Sequence, residues 1–279
     1  MAKKIFSALG KAACYTLLFI GMQFVVSFVF ALVGGVGAVL PYIHDNAAPD
    51  IDAIVESMTQ FLLGKTLTIT LVSNIAALAL LAVFFAARKK KFLREIHLEK
   101  GLPSLAFIPL LLGGACLAGF VGLMIDMLPI PRSVLEEYTA QAGMLGDADI
   151  LAIIASIFIA PLVEEVFFRG LVYTRLRRAM PPVVAMLLSS AVFGLLHGQI
   201  LWICYATFVG LAMALVFERT GTVRATFAMH LAFNLGGGYA LAGLPATPAL
   251  AFAFAAGAAA CWIWLCRICP YTKLRPEDM

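Results

Sequence analysis

A few side chains that can move a proton or stabilise an anion sit inside long apolar runs of this chain. The stretch APLVEEVFFRG (160–170) holds Glu164, Glu165 and Arg169. AVFGLLHGQ (191–199) holds His197, and ATFAMHLAFN (225–234) holds His230 and Asn234. An ionisable residue in such a run is expensive, and is read as functional by default. A carboxylate facing an imidazole can hold and deprotonate a water. An imidazole N–H and an amide NH2 are both donors, and one donor aimed at a developing oxyanion is worth about 3–4 kcal/mol of barrier. A base, its partner and an anion hole make a kit for hydrolysis.

Helix geometry distributes the roles. Neighbours on a helix point about 100° apart, so Glu164 and Glu165 cannot serve one point equally. Glu165 and Arg169 are four apart with the acid first, the favoured pairing order; this assigns Arg169 to Glu165 and leaves Glu164 as the working carboxylate, although Glu164 could reach Arg169 through another rotamer. Pro181 and Pro182 predict a tight turn near the midpoint between 164 and 197. An antiparallel pair closed there would put Glu164 and His197 at equal depth. His230 and Asn234, also four apart, share one face. No covalent nucleophile stands close: Ser189 and Ser190 precede His197 by about two turns, roughly 10 Å. There is no H-E-x-x-H and no G-x-S-x-G. Taken singly, each piece has a blander reading, a hydrogen-bonded core histidine or an ion pair between helices. Their weight lies in occurring together, in order, each within an apolar run.

The elements that must position these groups are membrane helices. Of 279 residues, 62% are hydrophobic and 13% charged, with mean hydropathy +0.97; a soluble domain is near half apolar and a quarter charged. The long non-alternating runs read as helices. A crossing takes ~20 apolar residues, and eight candidates lie at about 12–40, 61–87, 104–125, 149–172, 182–198, 201–217, 225–242 and 248–266. The fold class expected is therefore all-α, a polytopic transmembrane bundle of about eight spans, forming one membrane domain over 1–279. The basic N-terminal head followed by an apolar run to about Leu40 reads as a retained first span. Basic clusters at Lys3/Lys4/Lys11, 88–100, 175–178, Arg219/Arg224 and Arg267/Lys273/Arg275 fall on one side of such a bundle. The opposite loops, 41–60 and 126–148, carry Arg132 and many acids, so both termini are expected in the cytoplasm. RKKKFLR is a topology signal first and an anionic-lipid contact second.

The net charge of +4 gives no reason to expect a nucleic-acid partner. The glycines of 34–37 and 113–122 lack the context of a nucleotide loop and read as helix-packing positions. Of the six cysteines, Cys266 and Cys269 form one C-x-x-C at the end of the last run; a zinc site would need further ligands.

The motifs EEVFFR (164–169), FGLLH (193–197) and HLAFN (230–234), in this order, resemble the CAAX prenyl protease and bacteriocin-processing (CPBP) family, also called Abi, over roughly 150–240. The resemblance implies an eight-helix intramembrane endopeptidase with glutamate-dependent catalysis and no essential metal. Glu164 with His197 would activate water and His230 with Asn234 would form the oxyanion hole, with Glu165, Arg169 and Phe193 in support. The expected substrate is a peptide or protein, prenylated or not: a CAAX-type terminus or a leader or bacteriocin peptide. The expected setting is a bacterial plasma membrane, with a polar cavity opening to the cytoplasm. Three alternatives stand beside this: a zinc protease ligated by Glu164, His197 and His230; a non-catalytic scaffold or bacteriocin immunity protein; and a transporter or proton relay.

Overall fold

The computed structural model describes residues 2–143, 154–237, 241 and 243–271. Eleven helical segments occur among them, and no strand. They are α1 Ala2–His44, α2 Ile51–Gly64, α3 Thr66–Ala87, α4 Phe92–Glu95, α5 Phe107–Met127, α6 Arg132–Gly143, α7 over 155–177, α8 Pro182–Leu195, α9 Ile200–Thr220, α10 Val223–Leu235 and α11 Pro248–Ile268. The chain is a multi-pass membrane helix bundle. Large apolar side chains such as Phe24, Val183, Leu187 and Phe252 face outward, as they must where lipid is the solvent.

Local chemistry sets the boundaries. Asp50, Gln199, Thr222 and Thr247 cap α2, α9, α10 and α11 with side-chain oxygens, each satisfying an orphan N–H. Pro181 and Pro182 open α8, with Pro182 in its first turn, where a missing N–H costs nothing. Gly221 ends α9 at φ +68°, a left-handed cap that glycine adopts freely.

Among the described residues five helices are long and apolar enough to cross a membrane: α1, α3, α5 with its leading 3-10 turn (Ser104–Met127), α9 and α11. Each of the eight expected segments contains a helix. However, α8 has 14 residues and α10 has 13, short of a full crossing, so length does not fix the count at eight. Three further helices lie where loops were expected, the shortest being α4 within 88–100. α2 fills much of 41–60, so the second span starts at Thr66 rather than 61. α6 lies within 126–148. The first residues of the expected fourth span, Asp147, Lys273 and Arg275 fall outside the described residues.

α1 forms a long antiparallel pair with α2 and α3. Its first half packs on α3 and α7, with Phe19 against Phe167 and Phe168. Its second half meets α2, Gly34 lying under Phe61. At 43 residues it is about 65 Å long. On the other side of the bundle, α5 packs against α10 and α11. Gly114 of α5 lies so close to Met229 O of α10 that any Cβ would overlap it. The α8–α9 hairpin completes the core against α7.

α7 is not a uniform helix. Residues Ala155–Ile159 and Val166–Tyr173 form wide π-helical turns around the α-helical Ala160–Glu165. Such turns are rare and concentrate at functional sites. The segment after α4 clamps this helix and α10 at the basic end. Glu95 accepts from Arg175 (3.0 Å), and His97 O accepts from Val223 N (3.1 Å) and the Thr222 hydroxyl (3.2 Å). Ile96 O rests on Gly170, where a Cβ would come within 2.8 Å.

Candidate active site

The residues singled out in the sequence come from α7, the α8–α9 hairpin and α10. Glu165 is fully buried and Arg169 1% exposed. Arg169 Nη1 donates to Glu165 Oε1 at 2.9 Å, the pairing expected from their spacing, and Nη2 donates to Gly210 O at 3.1 Å. The guanidinium also lies over the Phe193 ring, 4.5 Å from its centre. A buried charge pair survives only when its remaining hydrogens are satisfied, and Gly210 and Phe193 serve that need.

His230 stands between the two glutamates. Its Nδ1 is 2.8 Å from Glu165 Oε1, and its Nε2 is 3.7 Å from Glu164 Oε2, too long for a hydrogen bond. With the carboxylate accepting, Nδ1 carries the hydrogen and the ring's orientation is fixed, which leaves Nε2 turned to Glu164. Glu164 keeps 21% of its side chain exposed, the only carboxylate of the pair that solvent or a substrate reaches. Asn234 is partly buried one turn beyond His230 on the same face.

His197 bonds within its own hairpin. It lies in the turn after α8, which stops at Leu195 before Gly198 at φ +76°. Its Nδ1 donates to Phe193 O (3.0 Å), and its ring stands edge-on to Phe193. Among the described residues the imidazole within ion-pair reach of Glu164 is His230, not His197. The Phe193 ring nonetheless links the set, touching His197, His230 and Arg169. With Nδ1–H committed to a carbonyl, the neutral His197 ring has its acceptor at Nε2.

Among the described residues no three His, Cys, Asp or Glu side chains converge as a metal would need, so Glu164, His197 and His230 are not gathered into the ligand set of the zinc alternative. A cavity of about 250 Å3 lies near the C-terminal end of α5, bordered by Tyr138 of α6 and by Gly236 and Gly237 just past α10. It sits at the opposite end of α5 from the basic residues of 88–100.

Three contributors were not visible in the sequence: the Gly210 carbonyl, the Phe193 ring as a platform for Arg169, and Glu218. Glu218 accepts from Arg177 Nε (3.2 Å) and Nη2 (3.1 Å), from the Tyr173 hydroxyl and from Tyr271 (3.2 Å). A glutamate at the end of an apolar run, in LVFERT, was the available signal.

Fold and site thus define a polytopic helical membrane protein with a Glu-Glu-Arg/His/His-Asn polar centre. Residues 146–236, about a third of the chain and including all three motifs, match the family described as "Type II CAAX prenyl endopeptidase Rce1-like". The chain is also 30% identical over 84 residues to "Putative membrane peptidase YdiL" of Bacillus subtilis (strain 168), a match covering 30% of this chain and 34% of that protein. No solved structure matches the chain. Over this third of its length the chain is similar to that family, and it spans about a third of the length of the curated relative it matches.

Proposed function

We propose that the protein is an intramembrane endopeptidase that uses Glu164 to activate water. The observation that carries this is one partly exposed carboxylate, Glu164, facing a histidine whose orientation is locked by a buried Glu165–Arg169 pair. In this scheme a water on Glu164 loses its proton to the carboxylate and attacks the peptide carbonyl. His197 Nε2 is a second acceptor for that water. His230 acts here as the imidazolium between the two carboxylates, so that Nε2–H as well as Nδ1–H donates; it and Asn234 donate to the oxyanion, and Glu164 returns the proton to the leaving amine. Glu165 and Arg169 position His230. The substrate is a membrane-associated polypeptide, and the likeness to prenyl endopeptidases makes a CAAX-type terminus the first candidate class. The basic clusters support a reading with both termini in the cytoplasm, in a plasma membrane of bacterial type.

The test compares protein termini in membrane and secreted fractions of cells carrying the wild type or Glu164→Gln at matched expression. Termini specific to the wild type should vanish in the variant, since loss of a general base lowers the rate about 10²–10⁴-fold. The same termini in both would sink the proposal.

A further inference from the structure

The cavity at the outer end of α5 is walled by glycines, among them Gly119 and Gly122 of α5 and Gly236 and Gly237 beyond α10. A Cβ added at Gly122 or Gly237 would meet no atom within 4 Å. These two are therefore unlike Gly114, where close helix contact demands glycine. Glycine inside a helix costs roughly 0.5–1 kcal/mol relative to alanine. With no packing reason for it here, what it leaves is room.

The room lies a short way along the chain from the candidate site, since Gly236 and Gly237 of its wall follow His230 and Asn234. His230 and Asn234 share one face of α10, and Gly237 follows them just past its end. From His230 to Gly237 is about 10 Å at the usual rise. An extended chain advances ~3.3–3.6 Å per residue, so the cavity sits about three residues from a carbonyl held at His230. At its rim stand Asp126, exposed on the last turn of α5, and Tyr138 of α6. Among the described residues no cation pairs with Asp126, while the other lining residues are uncharged.

We infer that this cavity receives a lysine or arginine side chain of the substrate, about three residues from the cleaved bond, with Asp126 as its counter-charge. The glycine walls take the aliphatic stem and the rim carboxylate takes the charged head, as such side chains prefer. The inference rests on the proteolytic reading above and specifies its substrates.

The experiment uses the full-length protein in cells and a membrane-anchored reporter built on the strongest wild-type-dependent terminus. Lys, Ala or Glu is placed in turn at each of four positions on either side of the cut. In the wild type, Lys at about the third position on one side should be cut at least tenfold faster than Glu there. Asp126→Lys should reverse that order, and Gly122→Leu should slow the Lys reporter at least tenfold at unchanged protein level and melting temperature. Asp126 is exposed, so its replacement leaves folding nearly untouched and the charge reversal stays readable even if Gly122→Leu folds poorly. Cleavage that is indifferent to charge at every position, or a preference that Asp126→Lys leaves in place, overturns the cavity assignment while proteolysis stands. Identical termini in wild type and Glu164→Gln overturn proteolysis, and the assignment with it.

Discussion

Two buried glutamates, each paired with an arginine of α7, make opposite uses of the same chemistry. Glu218 is closed. Arg177 bonds both of its oxygens, and the hydroxyls of Tyr173 and Tyr271 complete the set. Glu165 is loaded on one side only: Arg169 and His230 both bond Oε1, while Oε2 is buried with no hydrogen-bond partner. The Thr226 hydroxyl lies near Glu165 but gives its hydrogen to Val223 O (3.2 Å). Beside it Glu164 is half-open. A polar group that is fully satisfied holds helices in place; one left incompletely satisfied is expensive, and its persistence points to work. The cluster at Glu218 fastens α7, α9 and the tail at Tyr271, and the cluster at Glu165 sets a histidine.

The sharpest way to break this contrast is at Arg169. Arg169→Leu strands the Glu165 carboxylate in the core, and losing one partner of a buried pair costs about 3–5 kcal/mol. Thermal unfolding in detergent should show that loss, with cleavage gone in whatever remains folded. A milder break is Glu218→Gln, which keeps the shape but gives up charge-assisted bonds worth about 1.5–3 kcal/mol. If the Glu218 cluster only fastens helices, this variant melts earlier, yet its cleavage per folded molecule stays within a fewfold of wild type. A loss of turnover without loss of stability would erase the distinction drawn between the two glutamates.

The smallest expected effect is acid lability of the segment after α4. Burial, with Arg175 and Arg178 nearby, pushes His97 from 6.5 down to about 4. The unfolded chain then binds a proton between those values that the folded chain does not, so stability falls as pH drops from 6.5 to 4. At Glu95 burial works to raise the carboxyl, but Lys90 and Arg175 outweigh it and hold it below its ordinary value. Its contribution is present above pH 4.5 and is lost as pH falls through the lowered value. Melting temperature against pH should therefore decline below 6.5, and His97→Phe should flatten the upper part of that decline.

How much of this was legible in the sequence depends on the distance over which each contact acts. The Glu165–Arg169 pair could be read because four residues on one helix fix it. The bundle class followed from composition, and the three motifs marked the polar centre. The docking of His230 between both glutamates could not be read, since it joins positions 65 apart through the packing of α7 on α10. The wide turns of α7 were hidden for a related reason: nothing in VFFRGLVY announces them. α2 was missed although Asp50 and the apolar spacing of Ile51, Ile54, Val55 and Met58 carry a helix signal; the acids around them suggested a loop.

The wide turns of α7 have one more consequence, which concerns phase. Relative to an α-helix, a π turn accommodates an additional residue. Between Glu165 and Arg177 the chain is therefore out of step with a regular helix, and the same stretch joins the His230 cluster to the Glu218 clasp. Shortening Val166–Tyr173 by one residue would let the helix relax to α geometry and turn one end about 100° against the other. With Tyr173 and Arg177 fastened to Glu218, the end that turned would be Glu164–Glu165. The two clusters are aligned by a surplus residue rather than by any contact between them.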